Sequence, residues 1–221
     1  MTTHEQLPTL VATVQPDAGH SELYAWAAAH DLTGPQSGTA RRELRKIGID
    51  YDALRQAAAR KRLAELTAAA SEGVPSIHLA AAGAAATNTY TVRDGQGGLL
   101  WQGTFHDRDR YHRKGDQVSA DTSAATKAIF LASKARQLAK TDLARLHLTL
   151  TNPRVDTAVL VREATAWRLL LDIDIDIDDD PADPPVVTNG HEFPTFYDWN
   201  EADLAALIRF TTLADDGEDQ R

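Results

Sequence analysis

The tripeptide Gly73-Val74-Pro75 divides the chain into two parts of different periodicity, and no other feature constrains the fold as much. Glycine and proline together stop a helix, so the segments on its two sides form their elements independently. Before it, apolar residues recur at helical spacing. Ser21 to His30 place Leu23, Trp26 and Ala27 on one side, and Leu32-Thr33-Gly34-Pro35 ends that helix. A second helix is predicted from about Thr39 to Lys46, stopping at Gly48, and a third from Tyr51 to about Ala70 with Leu54, Ala58, Leu63 and Leu66 near one stripe. After the break the texture is strand-like. Ser76 to Ala84, Thr87 to Asp94 and Leu99 to Phe105 are short segments joined by turn residues, Gly95-Gln96-Gly97-Gly98 among them.

Asp121 or Thr122 caps a predicted helix running to about Lys140, with Ala125, Ile129, Ala132 and Leu138 on its apolar side. Leu143 to Leu150 alternates like a strand, Arg154 to Thr165 reads as a helix, and Trp167 to Ile177 as a long strand. In that strand Ile173, Ile175 and Ile177 face one side while Asp172, Asp174, Asp176 and Asp178 face the other. A proline-rich loop from Asp180 to Pro185 leads to a closing helix from about Asn200 to Phe210. Three hairpin-linked strands followed by strand–helix–strand crossovers predict an α+β or α/β domain, a mixed five-stranded sheet flanked by helices. The expected organisation is a helical region over 1–73, a sheet domain over 74–212 and an acidic disordered tail over 213–221.

Composition narrows the chemistry. With 43% hydrophobic and 25% charged residues the chain has an ordinary globular balance. It has no cysteine, which removes disulfides, thiolate zinc sites, iron–sulfur clusters and cysteine nucleophiles together. No apolar run approaches a membrane span, so no membrane partner is expected. Met1 to Pro8 carry no basic and apolar secretory pattern, and the cytoplasm is the expected compartment. The net charge of −9 is unevenly spread: residues 36–62 hold eight Lys/Arg against three acids, residues 164–221 fifteen acids against three arginines. The basic segment suits phosphate and the acidic end suits solubility or mimicry of a polyanion.

The element order resembles the ribonuclease H-like fold, and one motif adds to the likeness. Asn189-Gly190-His191 followed by Asn200-Glu201-Ala202-Asp203-Leu204-Ala205 is similar to the Gly-His loop and final-helix start of type 1 ribonuclease H, with a longer spacing here and one residue fewer after the aspartate. The resemblance covers residues 76–210 and implies a nuclease acting on RNA–DNA hybrids. By that likeness His191 stands for the histidine that aids product release, and Asp203 for one of four carboxylates that hold two magnesium or manganese ions.

The other three carboxylates of the resemblance are missing. Two-metal hydrolysis needs several carboxylate oxygens converging on cations about 3.5–4 Å apart. The first-strand aspartate falls on Ala80, Ala81 or Ala82, the first-helix glutamate on Lys127, and the acid after the fourth strand on Asn152. The expectation is a degenerate site with no cofactor. Two other arrangements stay open: Asp94-Gly95 standing for the family's Asp-Gly, with Asp203 and Asp156 completing an unorthodox metal site, or the row Asp172, Asp174 and Asp176 binding a metal alone.

The segment from His106 to Lys114 mixes basic residues with Tyr111 and two histidines. In a nucleic-acid reader Arg110, Arg113, Lys114 and Lys127 meet phosphates while the aromatic stacks on a base. Arg41, Arg42 and Arg45, with Arg60 to Arg62, offer a second basic face, or else belong to an ordinary amphipathic helix pair. Phe193, Phe196, Tyr197 and Trp199 either pin a loop over the site or form a partner patch. Three functions are compatible with these residues: a pseudoenzyme that binds RNA, DNA or their hybrid, or serves as a scaffold; an active metal-dependent nuclease; and a protein–protein module using the acidic tail and aromatic loop.

Overall fold

The computed structural model describes residues 6–32, 37–70, 74–176 and 201–209, with the backbone alone at 37 and 201–203. The chain forms two compact units, Met1–Ala64 and Glu65–Arg221. The sequence divides at Gly73-Val74-Pro75, whereas the contacts divide inside a continuous helix.

The first unit holds α1 (Leu7–Val11), α2 (His20–Ala29), α3 (Ser37–Lys46) and most of α4 (Tyr51–Ala69). α3 stops because Gly48 turns left-handed at φ +85°, which lets the Ile49 N–H reach back to the Leu44 carbonyl at 3.0 Å. Asp50 then starts α4, its carboxylate accepting the N–H groups of Asp52 and Ala53 at 3.0 and 3.1 Å. Leu23, Val11, Val14, Leu44 and Ile49 are buried together, and Leu7, Leu32 and Ala40 form a second cluster.

The second unit is an α+β arrangement around a five-stranded mixed sheet. Its strands are β1 (Ser76–Ala84), β2 (Thr89–Asp94), β3 (Leu99–Thr104), β4 (Ala144–Leu150) and β5 (Leu169–Ile175), in the order β3-β2-β1-β4-β5. β1 pairs antiparallel with β2, and β2 with β3, while β4 is parallel to both β1 and β5. Parallel neighbours require crossovers, and α5 (Gln117–Leu138) and α6 (Thr157–Ala166) supply them. A last helix, α7 (Glu201–Ala206), comes after β5.

Alternation along the strands sends Ile77, Leu79 and Ala81 of β1, and Leu146, Leu148 and Leu150 of β4, into one buried core with α5. α5 is buried along most of its length and lined with alanines, among them Ala120, Ala124, Ala128 and Ala132. Small side chains allow a close approach, and at Gly83 the approach is closest. A Cβ there would stand 2.4 Å from the Ala120 carbonyl carbon.

Several boundaries differ from the sequence reading, the closing helix among them, since α7 ends at Ala206 rather than at Phe210. α5 starts at Gln117, capped by Asp116, whose carboxylate accepts the Ser119 N–H at 3.3 Å, so Asp121 lies a full turn inside the helix. α6 starts at Thr157, where Asp156 accepts the N–H groups of Ala158 and Val159. Trp167 ends α6 as its C-cap, and β5 begins two residues later. No described helix is long and apolar enough to cross a membrane.

Candidate functional site at the carboxyl end of the sheet

Because β1, β4 and β5 are parallel, their carboxyl ends lie together, and the start of α5 rests against the end of β1. Asp121 faces this junction and is 3% exposed. Its Oδ1 accepts the Gly83 N–H at 3.0 Å and its Oδ2 accepts the Asn152 amide at 2.8 Å. The Gln117 amide nitrogen, one turn earlier on α5, lies 3.1 Å from both oxygens. Gln117 also donates to the Gly83 carbonyl and accepts the Ala85 N–H. Asn152 comes just after β4, and its Oδ1 accepts the Arg154 N–H at 3.0 Å. A carboxylate only accepts, so it fixes the Asn152 amide with its nitrogen inward and its oxygen on Arg154. The cluster is therefore a closed hydrogen-bonded pin joining β1, α5 and the loop after β4.

This donor set does not fit two divalent cations. Such ions need several free carboxylate oxygens. Here one carboxylate has its lone pairs taken by N–H groups, and the neighbouring amide presents N–H rather than oxygen. Among the described residues no group of three His, Asp or Glu could hold a metal. Asp94 is not part of the cluster. It pairs with Leu79, four residues before Gly83 and about 13 Å along the strand. Its Oδ1 is occupied by the N–H groups of Gln96 and Gly98 at 2.8 and 2.7 Å, which shape the hairpin turn. Asp156 is spent as the α6 cap. Asp172 accepts Arg145 at 2.9 Å and lies 3.7 Å from His147, so this acid of the row is engaged by its neighbours on β4. The Asp203 side chain, His191 and the aromatic group from Phe193 to Trp199 lie outside the described residues.

The acid that α5 contributes is Asp121, and Lys127 is not at that position. Lys127 lies on another part of α5, 15% exposed and paired with Asp109, with its ammonium 4.6 Å from the Tyr90 ring centre and 5.3 Å from that of Phe105. Ser123 completes the group, donating to Asp109 at 2.7 Å. Burial pushes the Asp109 carboxyl up, but the Lys127 ammonium, the Ser123 hydroxyl and the Tyr111 N–H outweigh it and hold it below its ordinary value. Burial, then the Asp109 charge, pushes the Tyr90 phenol up. An ammonium held this way faces Asp109 and two aromatic rings rather than solvent.

The rest of the loop over 106–116 is fixed in the same manner. Tyr111 donates to Glu163, which also accepts Arg110 at 3.3 Å. His112 stacks on Phe105 with ring centres 4.2 Å apart. The Arg113 N–H reaches Ser119 Oγ at 2.8 Å, and that hydroxyl lies 3.1 Å from the Arg113 carbonyl, tying the loop to the first turn of α5. Tyr111 and His112 are thus engaged inward, against the expected stacking on a base. Arg108, Arg113 and Lys114 stay exposed, with no ion pair among the described residues. In the first unit Arg41 and Arg45 share Asp52, at 3.3 and 3.9 Å, and Arg41 lies over the Tyr51 ring, while Arg42 is exposed.

Asp121 is the residue that sequence reasoning passed over, taking it as a helix cap. A signal was present: with the cap moved to Asp116, Asp121, Ala124, Ala125, Ala128 and Ala132 share one face, and an acid on a stripe of alanines requires buried donors. Comparison with protein-family models, with curated proteins and with solved structures finds no match for this chain.

Proposed function

We propose that this chain is a nucleic-acid-binding module on a ribonuclease H-like scaffold, one whose acidic site has become a structural pin and which holds a phosphate backbone without cutting it. The strand order β3-β2-β1-β4-β5, with helices after β3, β4 and β5, supports the scaffold. The observation that carries the function is the coexistence, at the start of α5, of a saturated acid and a fixed cationic loop. Asp121 has its oxygens taken by Gly83, Gln117 and Asn152, while Arg113, whose backbone is tied to Ser119, and its neighbour Lys114 are exposed to solvent. Cations on a rigid loop recognise phosphates without reading bases. The engagement of Tyr111 and His112 inside the fold supports a contact that is indifferent to sequence.

The test is incubation of the full chain with a labelled RNA–DNA hybrid, with and without magnesium and manganese, reading cleavage and gel retardation from the same samples. Retardation without cleavage in every sample, weakened by salt and by Arg113→Gln with Lys114→Gln, is the expected result. Metal-dependent cleavage lost in Asp203→Asn would overturn the loss of hydrolysis. Absence of retardation at low salt would overturn the binding.

A further inference from the structure

At the other end of β1 lies a cleft of about 360 Å³, between the β2–β3 hairpin and the segment after α7, a volume suited to a small molecule. Its polar side is formed by His78 and Arg209, and its apolar side by Leu99, Leu100 and Leu207. Three observations mark it as built. The Arg209 backbone is fastened to Ser76 by two hydrogen bonds of 2.8 and 2.9 Å, which anchors its side chain at the cleft, and it forms no ion pair among the described residues. The hairpin closes tightly over His78, since a Cβ on Gly95 would come within 2.7 Å of the His78 Cβ. Leu99 is 47% exposed at the cleft, one of few large apolar side chains so exposed among the described residues.

The polar groups are unequal in charge. Asp94 also lines the cleft, with its Oδ1 accepting the Gln96 and Gly98 N–H groups, which hold the carboxylate against the hairpin. Arg93, on the same strand, donates to the Gly97 carbonyl at 3.0 Å. Burial first, then His147 and Arg209, lowers the basicity of His78, so at neutral pH its imidazole is uncharged and offers a hydrogen bond rather than a second charge. A guanidinium with no ion pair among the described residues, one imidazole of lowered basicity and an exposed leucine are complementary to a single negative charge on a short apolar body.

We propose that this cleft binds a small organic monoanion, a carboxylate carrying a short aliphatic chain, with Arg209 and His78 on the carboxylate and Leu99, Leu100 and Leu207 on the chain. The site is separate from the Asp121 pin and does not depend on the nucleic-acid reading.

The experiment is titration of the ¹⁵N-labelled full chain with hexanoate, with hexan-1-ol and inorganic phosphate as companion probes, following backbone amide shifts. Hexanoate should shift Gly95, Gly98, Leu99 and Arg209 saturably. The alcohol and phosphate should each bind at least about tenfold more weakly, because each lacks one half of the recognition. Arg209→Gln should weaken hexanoate by about tenfold or more, since a lost hydrogen bond to a charged group is worth about 1.5–3 kcal/mol. Leu99→Gln, on an exposed position of β3, should weaken hexanoate but not phosphate, and serves if Arg209→Gln does not fold. Shifts that do not saturate or that centre elsewhere, equal binding of the alcohol, or wild-type affinity in both variants would each overturn the proposal.

Discussion

At the scale of single residues, the chemistry turns on what Asp121 accepts. Removing it in Asp121→Ala leaves the buried Gly83 N–H and the half-buried Asn152 amide without this acceptor, and each stranded donor costs about 1–3 kcal/mol. Urea unfolding should show a loss of about 3 kcal/mol. The opposite change, Asn152→Asp, sets a second carboxylate against the first where an amide now lies 2.8 Å away. Two carboxylates in contact hold one proton between them, so one titrates above the ordinary range. A raised folded-state value contributes stability below the unfolded value and loses it as pH rises. Melting temperature in this variant should therefore fall between pH 4 and pH 7 relative to the parent, and an unchanged difference would show that the side chains do not meet. Asp109 behaves in the other sense. Its carboxyl is held below the usual 3.8, so the Lys127 pair contributes stability above that value and loses it as pH falls further. Lys127→Met should cost about 3 kcal/mol by stranding a largely buried carboxylate. Lys127→Met with Asp109→Asn should recover much of that loss and flatten the profile below pH 4.

At the scale of elements, β1 was legible from Ser76 to Ala84, and the two hairpins could be placed from their turn residues. α1 was not, because five residues carry too little periodicity to register. The start of α5 was misread by one turn for a different reason. Asp116 and Asp121 are equally able to cap a helix, and local sequence does not choose between them. The choice is made in three dimensions: α5 must lie against β1 at Gly83, which places Asp121 on the strand and leaves Asp116 at the terminus. Gly83→Ala tests this directly, since its Cβ would meet the Ala120 carbonyl, both backbone atoms with little room to yield. Unfolding free energy should drop by about 3 kcal/mol or more, with hydrogen exchange accelerated at the start of α5. Gly97→Ala is the control. Nothing lies within 4 Å of its Cβ, but its φ of +83° strains an alanine, so a cost of only about 1 kcal/mol is expected. Equal losses in the two variants would mean that α5 does not depend on the close contact.

At the scale of the whole molecule, a net charge of −9 opposes a polyanion, so the proposed nucleic-acid binding requires a local field. Sequence located the basic loop but not the direction of its charges. Lys127 and Arg113 look alike in one dimension, yet one is turned onto Asp109 and the other to solvent. Salt dependence measures this difference, because each phosphate neutralised on a duplex contributes about −0.9 to the slope of log K against log salt. On the proposed function, three exposed cations, Arg108, Arg113 and Lys114, should set a slope of about −3 on a duplex and about −2 on a single strand, by the same relation with about −0.7 per contact. Arg113→Gln and Lys114→Gln should each make the slope shallower by about one unit. Lys127→Met should leave the slope unchanged in the fraction that remains folded, because that ammonium releases no counterion when a phosphate arrives. Tyr111→Phe should not alter preference among homopolymers, since the ring is turned toward Glu163 and does not stack on a base. A slope that responds to Lys127→Met as strongly as to Arg113→Gln would place the phosphate contact inside the fold, and would return Lys127 to the role that the sequence assigned to it.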